Sequence, residues 1–77
     1  MALVAREFVH PTQPGQVRLR VYQPETGGFL VTEERDGTRT VVATLGLYDS
    51  QEAALARVEE RARSLEAQRY RPLAAAA

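Results

Sequence analysis

The spacing of apolar residues changes once along this chain of 77 residues, and that change constrains its fold more than any other feature. From Val17 to Tyr22, apolar and polar residues alternate strictly, which is the period-two pattern of a strand with one buried face. Toward the C-terminus, apolar residues recur at helical spacing instead, at Leu55, Val58, Ala62 and Leu65, with Ala54 beside them. The chain therefore reads as strands followed by one helix.

Segments rich in β-forming residues are separated by turn signals, which predicts strands over 3–9, 17–22, 29–34 and from Thr38 or Arg39 to Leu47. The Asp36-Gly37 pair between the last two predicts a hairpin, because a type I′ turn needs positive φ at both central positions. Gly46 indicates a bulge or the end of the last strand.

The helix has recognisable ends. Asp49 is predicted as the N-cap with Glu52 reaching back to it, in the manner of a capping box. Pro72 is expected to stop the helix by about Tyr70. Residues 74–77, all alanine, are expected to form a disordered tail.

These elements predict an α+β fold, with a small antiparallel sheet of three to four strands and one C-terminal helix packed on one face. We expect a single domain over residues 1–73. A chain of this size buries only roughly 60% of the surface that its unfolded form exposes, so few side chains are left to build a deep pocket.

Composition narrows the class of protein. Ten basic residues, all of them Arg, balance ten acidic ones, so net charge gives no argument for nucleic acid. The exclusive use of Arg fits either a GC-rich coding bias or bidentate recognition of phosphate. There is no cysteine, no signal-peptide pattern and no membrane-spanning apolar run, so we expect a soluble, cytoplasmic protein that does not bind membranes.

Catalytic chemistry has little support in the residues. His10 is the only histidine, and the serines that would complete a triad, Ser50 and Ser64, lie in the capping segment and on the helix. Glu33 and Glu34 point to opposite faces of a regular strand and so do not converge on a metal ion. We expect a protein that is not an enzyme, with no catalytic residue, no metal site and no cofactor.

The arginines are the remaining candidates for a binding site. Arg18 and Arg20 share a strand face with Tyr22, while Arg35 and Arg39 flank the predicted turn. Together they would form a strip that contacts phosphates without reading base sequence, with Tyr22 placed to stack. The alternative is a solvated strand face on which Glu and Arg pair across strands.

The order of parts over residues 6–72 resembles the WGR domain, a module of DNA-dependent poly(ADP-ribose) polymerases and of many bacterial proteins. The resemblance rests on the strand 6–9, on 33–38 as the match to the Trp-Gly-Arg motif, and on the helix start 48–54. Arg35 takes the place of the motif arginine, but Glu33 stands at the Trp position and Glu34 at the Gly position.

The resemblance implies a binding module that contacts DNA through Arg35, supported by Arg18, Arg20, Arg39 and Tyr22. Two carboxylates beside Arg35 would repel a phosphate, so a second function is expected as the alternative. In that alternative the domain binds another protein, or a second copy of itself, and should show an open edge strand or an exposed apolar patch.

Overall fold

The computed structural model describes residues 2–37 and 39–73, with side chains from residue 5 onward. Its elements follow in the order β1 (Ala2–Val9), β2 (Gln16–Tyr22), β3 (Phe29–Arg35), β4 (Val41–Tyr48), α1 (Gln51–Ala67) and β5 (Arg71–Pro72). The strands form one sheet in the order β4-β3-β2-β1-β5, and all neighbours are antiparallel. The predicted α+β class, with one antiparallel sheet and one helix on it, is confirmed, but the sheet has five strands where three to four were predicted.

The core lies between α1 and one face of the sheet. The alternation predicted for β2 is confirmed, because Val17, Leu19 and Val21 are buried while the residues between them are partly exposed. The buried residues that complete this core are Phe8, Val31, Ala54, Val58, Ala62 and Leu65. Each larger apolar side chain buried in this way contributes roughly 1.5–3 kcal/mol, which explains why the amphipathic helix and sheet hold together.

The helix begins one residue later than predicted. Ser50, not Asp49, is the N-cap, and its hydroxyl oxygen accepts a hydrogen bond of 3.1 Å from the backbone N–H of Ala53. With this start, the third helical position holds an alanine, so Glu52 does not stand where a capping box requires its side chain. Glu52 still lies in the first turn, where a negative charge favours the helix dipole.

The helix ends in a Schellman motif that the sequence did not predict. Arg69 adopts a left-handed φ of 73°, and the N–H of Tyr70 reaches back to the carbonyl of Leu65 at 3.0 Å. This reversal returns the chain to the sheet as β5, where the N–H of Leu73 donates to the carbonyl of Glu7 at 2.8 Å. Proline is disfavoured within a sheet because it has no backbone N–H to donate, but Pro72 is tolerated because β5 is the outermost strand.

The connection between β3 and β4 differs from the predicted type I′ turn. The hairpin itself is confirmed, but Arg35 pairs with Val41, so the loop spans 36–40. Neither Asp36 nor Gly37 has a positive φ. Thr38, one of the two predicted starts of the last strand, lies outside the described residues, as does the predicted tail over 74–77.

Gly46 lies at a bulge, as predicted. Val31 pairs with Gly46, whereas the next residue, Thr32, pairs with Thr44, so β4 contains one extra residue at this point. A Cβ atom at Gly46 would lie 2.8 Å from the hydroxyl oxygen of Tyr48. Any larger residue here would have to displace the aromatic ring of Tyr48, which covers the glycine.

No helix among the described residues is both long enough and apolar enough to cross a membrane.

Candidate functional site

Three regions bear on function: an ion-pair network on each face of the sheet, and the free edge of β4. Each network contains one of two neighbouring residues of β3, Glu33 or Glu34. Glu33 pairs with Leu19 in the register of β2 and β3, and Glu34 pairs with Arg18. Because paired residues share a face, Glu33 faces α1 and Glu34 lies on the face without a helix, here called the open face.

The open face holds the larger network. Arg18 donates to both carboxylate oxygens of Asp36, at 2.9 and 2.6 Å, and to Glu34 at 3.2 Å. Arg20 donates to Glu34 at 3.1 Å and to the hydroxyl oxygen of Tyr22 at 2.9 Å. Two arginines are thus matched by two carboxylates, and this face carries no excess of positive charge.

The protonation equilibria of this network follow from these contacts. The hydrogen bond between Arg18 and Asp36 raises the pKa of the guanidinium and lowers the pKa of the Asp36 carboxyl. The pKa of Arg20 is also raised, chiefly by its hydrogen bond to Tyr22. Arg18 and Asp36 therefore each favour the charged form of the other, so this pair stays ionised at neutral pH.

The network on the helix face is centred on Glu33, a residue only 6% exposed. Arg61 on α1 donates to its two carboxylate oxygens at 2.5 and 3.3 Å, and Arg35 donates at 2.9 Å. Burial by itself would raise the pKa of Glu33, but hydrogen bonds from Arg61 and Arg35 outweigh it and hold the pKa below its usual value. This carboxylate ties the helix to β3.

Arg35 also lies 5.9 Å above the ring of Tyr70, in the geometry of a cation–π contact. The same two residues line a small cleft, and its other walls are formed by Gln13, Pro14, Gly15, Gln16, Val17 and Asp36. Tyr70 also makes an edge-to-face contact with His10, whose ring centroid is 5.1 Å away. Arg35 is thus a fixed part of the junction between β3 and the C-terminal segment.

The structure brings together only some of the predicted binding residues. Arg18, Arg20 and Tyr22 lie side by side on the open face, whereas Arg35 pairs with Val17 and lies on the helix face. Arg39 is exposed in the loop that follows. The predicted strip of arginines therefore does not form, because β3 continues through Arg35 and its alternation turns that side chain to the other face.

The edge strand β4 is the region whose importance the sequence did not reveal. It spans eight residues, Val41–Tyr48, and contains neither a charged residue nor a proline. Val41 and Val42 are each 59% exposed, and Leu47 is 63% exposed. A long apolar edge without charge or proline lacks the usual protection against pairing with another strand.

At the opposite side of the sheet, β5 pairs with only Phe8 and Val9 of β1, and β5 itself has the features that usually protect an edge strand. β5 has two residues, one of them Pro72, and both are exposed. Arg71 adds a charge beside it. Short length, proline and charge all discourage strand addition at β5, whereas the edge of β4 extends over eight uncharged residues.

The residues that would have been needed for catalysis have structural contacts instead. Ser50 caps the helix, and Ser64 accepts from Arg61 at 3.4 Å and from Gln68 at 3.5 Å. His10 contacts Tyr70 and Thr12. Within residues 2–37 and 39–73, no cluster of His, Cys, Asp or Glu has the arrangement needed to hold a metal ion.

Comparison of the chain with protein-family models, with curated proteins and with solved structures finds no match.

Proposed function

We propose that this protein is a non-enzymatic interaction module that binds an extended segment of a partner protein along β4. The observation that carries the proposal is the free, uncharged edge of β4, with three of its apolar side chains more than half exposed. An open edge strand is one of the two features expected of a domain that binds another protein.

Strand addition would use the backbone for affinity and the side chains for selectivity. A segment paired with β4 supplies partners for its outward N–H and C=O groups. Its alternate side chains meet Val41 on the helix face and Val42 on the open face, since these pair with Arg35 and Glu34 of β3. The preferred segment is therefore apolar on both faces.

The arginine pairs argue against nucleic acid as the main ligand. A phosphate approaching Arg18 would have to displace Glu34 or Asp36, and one approaching Arg61 would have to displace Glu33. A phosphate approaching Arg20 would meet the neighbouring carboxylate of Glu34. The total of ten basic and ten acidic residues provides no general attraction either.

Contact with DNA through Arg35, as the resemblance to WGR domains implies, is the second candidate function. Its support is that the Arg35 side chain is 42% exposed and lines the cleft with Tyr70. Such binding would weaken steeply with salt, because phosphate contacts release counterions.

The first experiment selects linear peptides from a random display library and maps the best one by NMR on the labelled protein. We expect amide shifts concentrated in 41–48, and at least about a tenfold loss of affinity in Val42→Lys, which places a charge on the edge. Leu73→Lys is the matched control, because Leu73 is an exposed apolar residue, 38% accessible, at the opposite edge. Shifts centred elsewhere, or equal binding by both variants, would overturn the proposal.

A fluorescence-anisotropy titration with labelled blunt and nicked DNA separates the two candidates. We expect no salt-sensitive binding by the wild-type protein or by Arg35→Ala. Binding at low salt that is lost in Arg35→Ala and retained in Arg63→Ala, an exposed arginine of α1, would establish the nucleic-acid function instead.

A further inference from the structure

We infer that the segment that occupies β4 is the β4 strand of a second copy of this chain, paired antiparallel about a two-fold axis. This inference rests on the proposed function, which it makes specific.

The first argument is the absence of charge on β4 itself. An edge strand that pairs with its own copy places its side chains beside others from the same strand, so charges of a single sign on it would repel each other. All eight residues from Val41 to Tyr48 are uncharged, and self-pairing therefore meets no electrostatic penalty within the strand.

The second argument is the charge at the two ends of β4. Arg39 precedes the strand and Asp49 follows it, and both residues are exposed. None of the ion pairs found among the described residues uses either of them. Each is thus available to a charge brought in by a partner.

Antiparallel self-pairing brings these two ends together. The beginning of one β4 then lies beside the end of the other, so Arg39 of each copy approaches Asp49 of its mate, twice in one dimer. Parallel pairing would instead place Arg39 beside Arg39 and Asp49 beside Asp49. The flanking charges therefore favour the antiparallel arrangement, which is also the pairing of every other neighbour in the sheet.

The resulting dimer has a continuous sheet with both helices on one face, since a two-fold axis perpendicular to the sheet reverses strand direction and preserves the face. The helix leaves the edge accessible on its own face, where Val41 remains 59% exposed. A contact limited to one pair of edge strands falls at the small end of protein interfaces. We expect a Kd of about 10 μM to 1 mM.

The test is a charge exchange followed by analytical ultracentrifugation over a concentration series. Arg39→Glu alone places two acidic residues at each end of the pair, and Asp49→Arg alone places two arginines there. Each variant is expected to dimerise about fivefold to tenfold more weakly than the wild-type protein. An equimolar mixture of the two variants restores attraction at both ends, so it should associate as well as the wild-type protein.

Thermal melts followed by circular dichroism establish that both single variants are folded. The double variant Arg39→Glu/Asp49→Arg is a second control, because its homodimer again pairs opposite charges and should associate like the wild-type protein. Association of the single variants equal to wild type, or a mixture no stronger than either, would overturn the antiparallel pairing. A wild-type protein that stays monomeric, while a selected peptide still binds β4, would overturn self-pairing and leave the proposed function standing. Monomers that bind no peptide at β4 would overturn both.

Discussion

Glu33 and Glu34 are adjacent in the chain, but they lie on opposite faces of the sheet and have different surroundings. Each accepts hydrogen bonds from two arginines: Glu33 from Arg61 and Arg35, Glu34 from Arg18 and Arg20. On the helix face, the Glu33 side chain is 7% exposed and its partners come from a helix and a strand. On the open face, the partners of Glu34 lie on the adjacent strand, and the Glu34 side chain is 14% exposed.

Similar ion pairs can therefore stabilise different contacts in the same small domain. A pair between α1 and β3 fixes the helix on the sheet and leaves a buried charge if one member is removed. A network between neighbouring strands reinforces contacts that the backbone ladder already makes. Burial and the identity of the joined elements, rather than the number of hydrogen bonds, should therefore decide the cost of each substitution.

The largest expected effect is that of Glu33→Gln. This substitution keeps the size of the side chain but leaves Arg61 without its carboxylate at the buried interface. We expect the free energy of unfolding to fall by about 3 kcal/mol. Urea denaturation of the variant and the wild-type protein at pH 7 measures the change, and a loss below about 1 kcal/mol would mean that water solvates Arg61 in place of Glu33.

Glu34→Gln is the matched substitution on the open face and should have the smaller effect. Arg18 retains its two hydrogen bonds to Asp36, so only part of the network is lost. We expect a decrease of about 1 kcal/mol in the same denaturation experiment. A cost equal to that of Glu33→Gln would show that burial does not distinguish the two faces.

Acidification should produce the smallest change of the three. The pKa of Glu33 is below its ordinary value of 4.5, and the pKa of Asp36 is below its ordinary value of 3.8. Folding therefore favours the deprotonated forms, and the resulting stability is present above these ordinary values and is lost as pH falls through the lower, folded pKa values.

Denaturation of the wild-type protein and Glu33→Gln between pH 6 and about pH 3 checks this dependence. The variant should lose less stability over that range than the wild-type protein does, because it lacks Glu33, one of the two carboxyls with a lowered pKa. Parallel curves for the two proteins would show that Glu33 titrates alike in the folded and unfolded chains.

Much of the fold was predictable because its signals are local. The alternation in β2 assigned Val17, Leu19 and Val21 to one face, and the structure buries all three. Alternation also predicted that Glu33 and Glu34 point to opposite faces. Gly46 predicted either a bulge or a strand end, because a glycine within a strand usually signals a break in the ladder, and the structure has a bulge there.

The errors occurred where a position depends on residues far away in the chain. Arg35 was interpreted as a turn residue beside Arg18 and Arg20, but the longer loop from 36 to 40 keeps it in β3 and on the helix face. β5 was missed because it exists only through pairing with β1, after the Schellman motif has reversed the chain. A proline carries no local signal for such a strand.

The sequence by itself determined the first four strands, the helix, the two faces of β2 and the absence of charge along β4, because periodicity and side-chain chemistry act within a few neighbouring residues. Only the tertiary structure decided which arginines find carboxylates and which strand lies at the edge of the sheet. Strand order is set by pairing between distant segments, and the same sequence 41–48 would have been covered in the middle of the sheet. Its position at the edge is what makes β4 available to a partner.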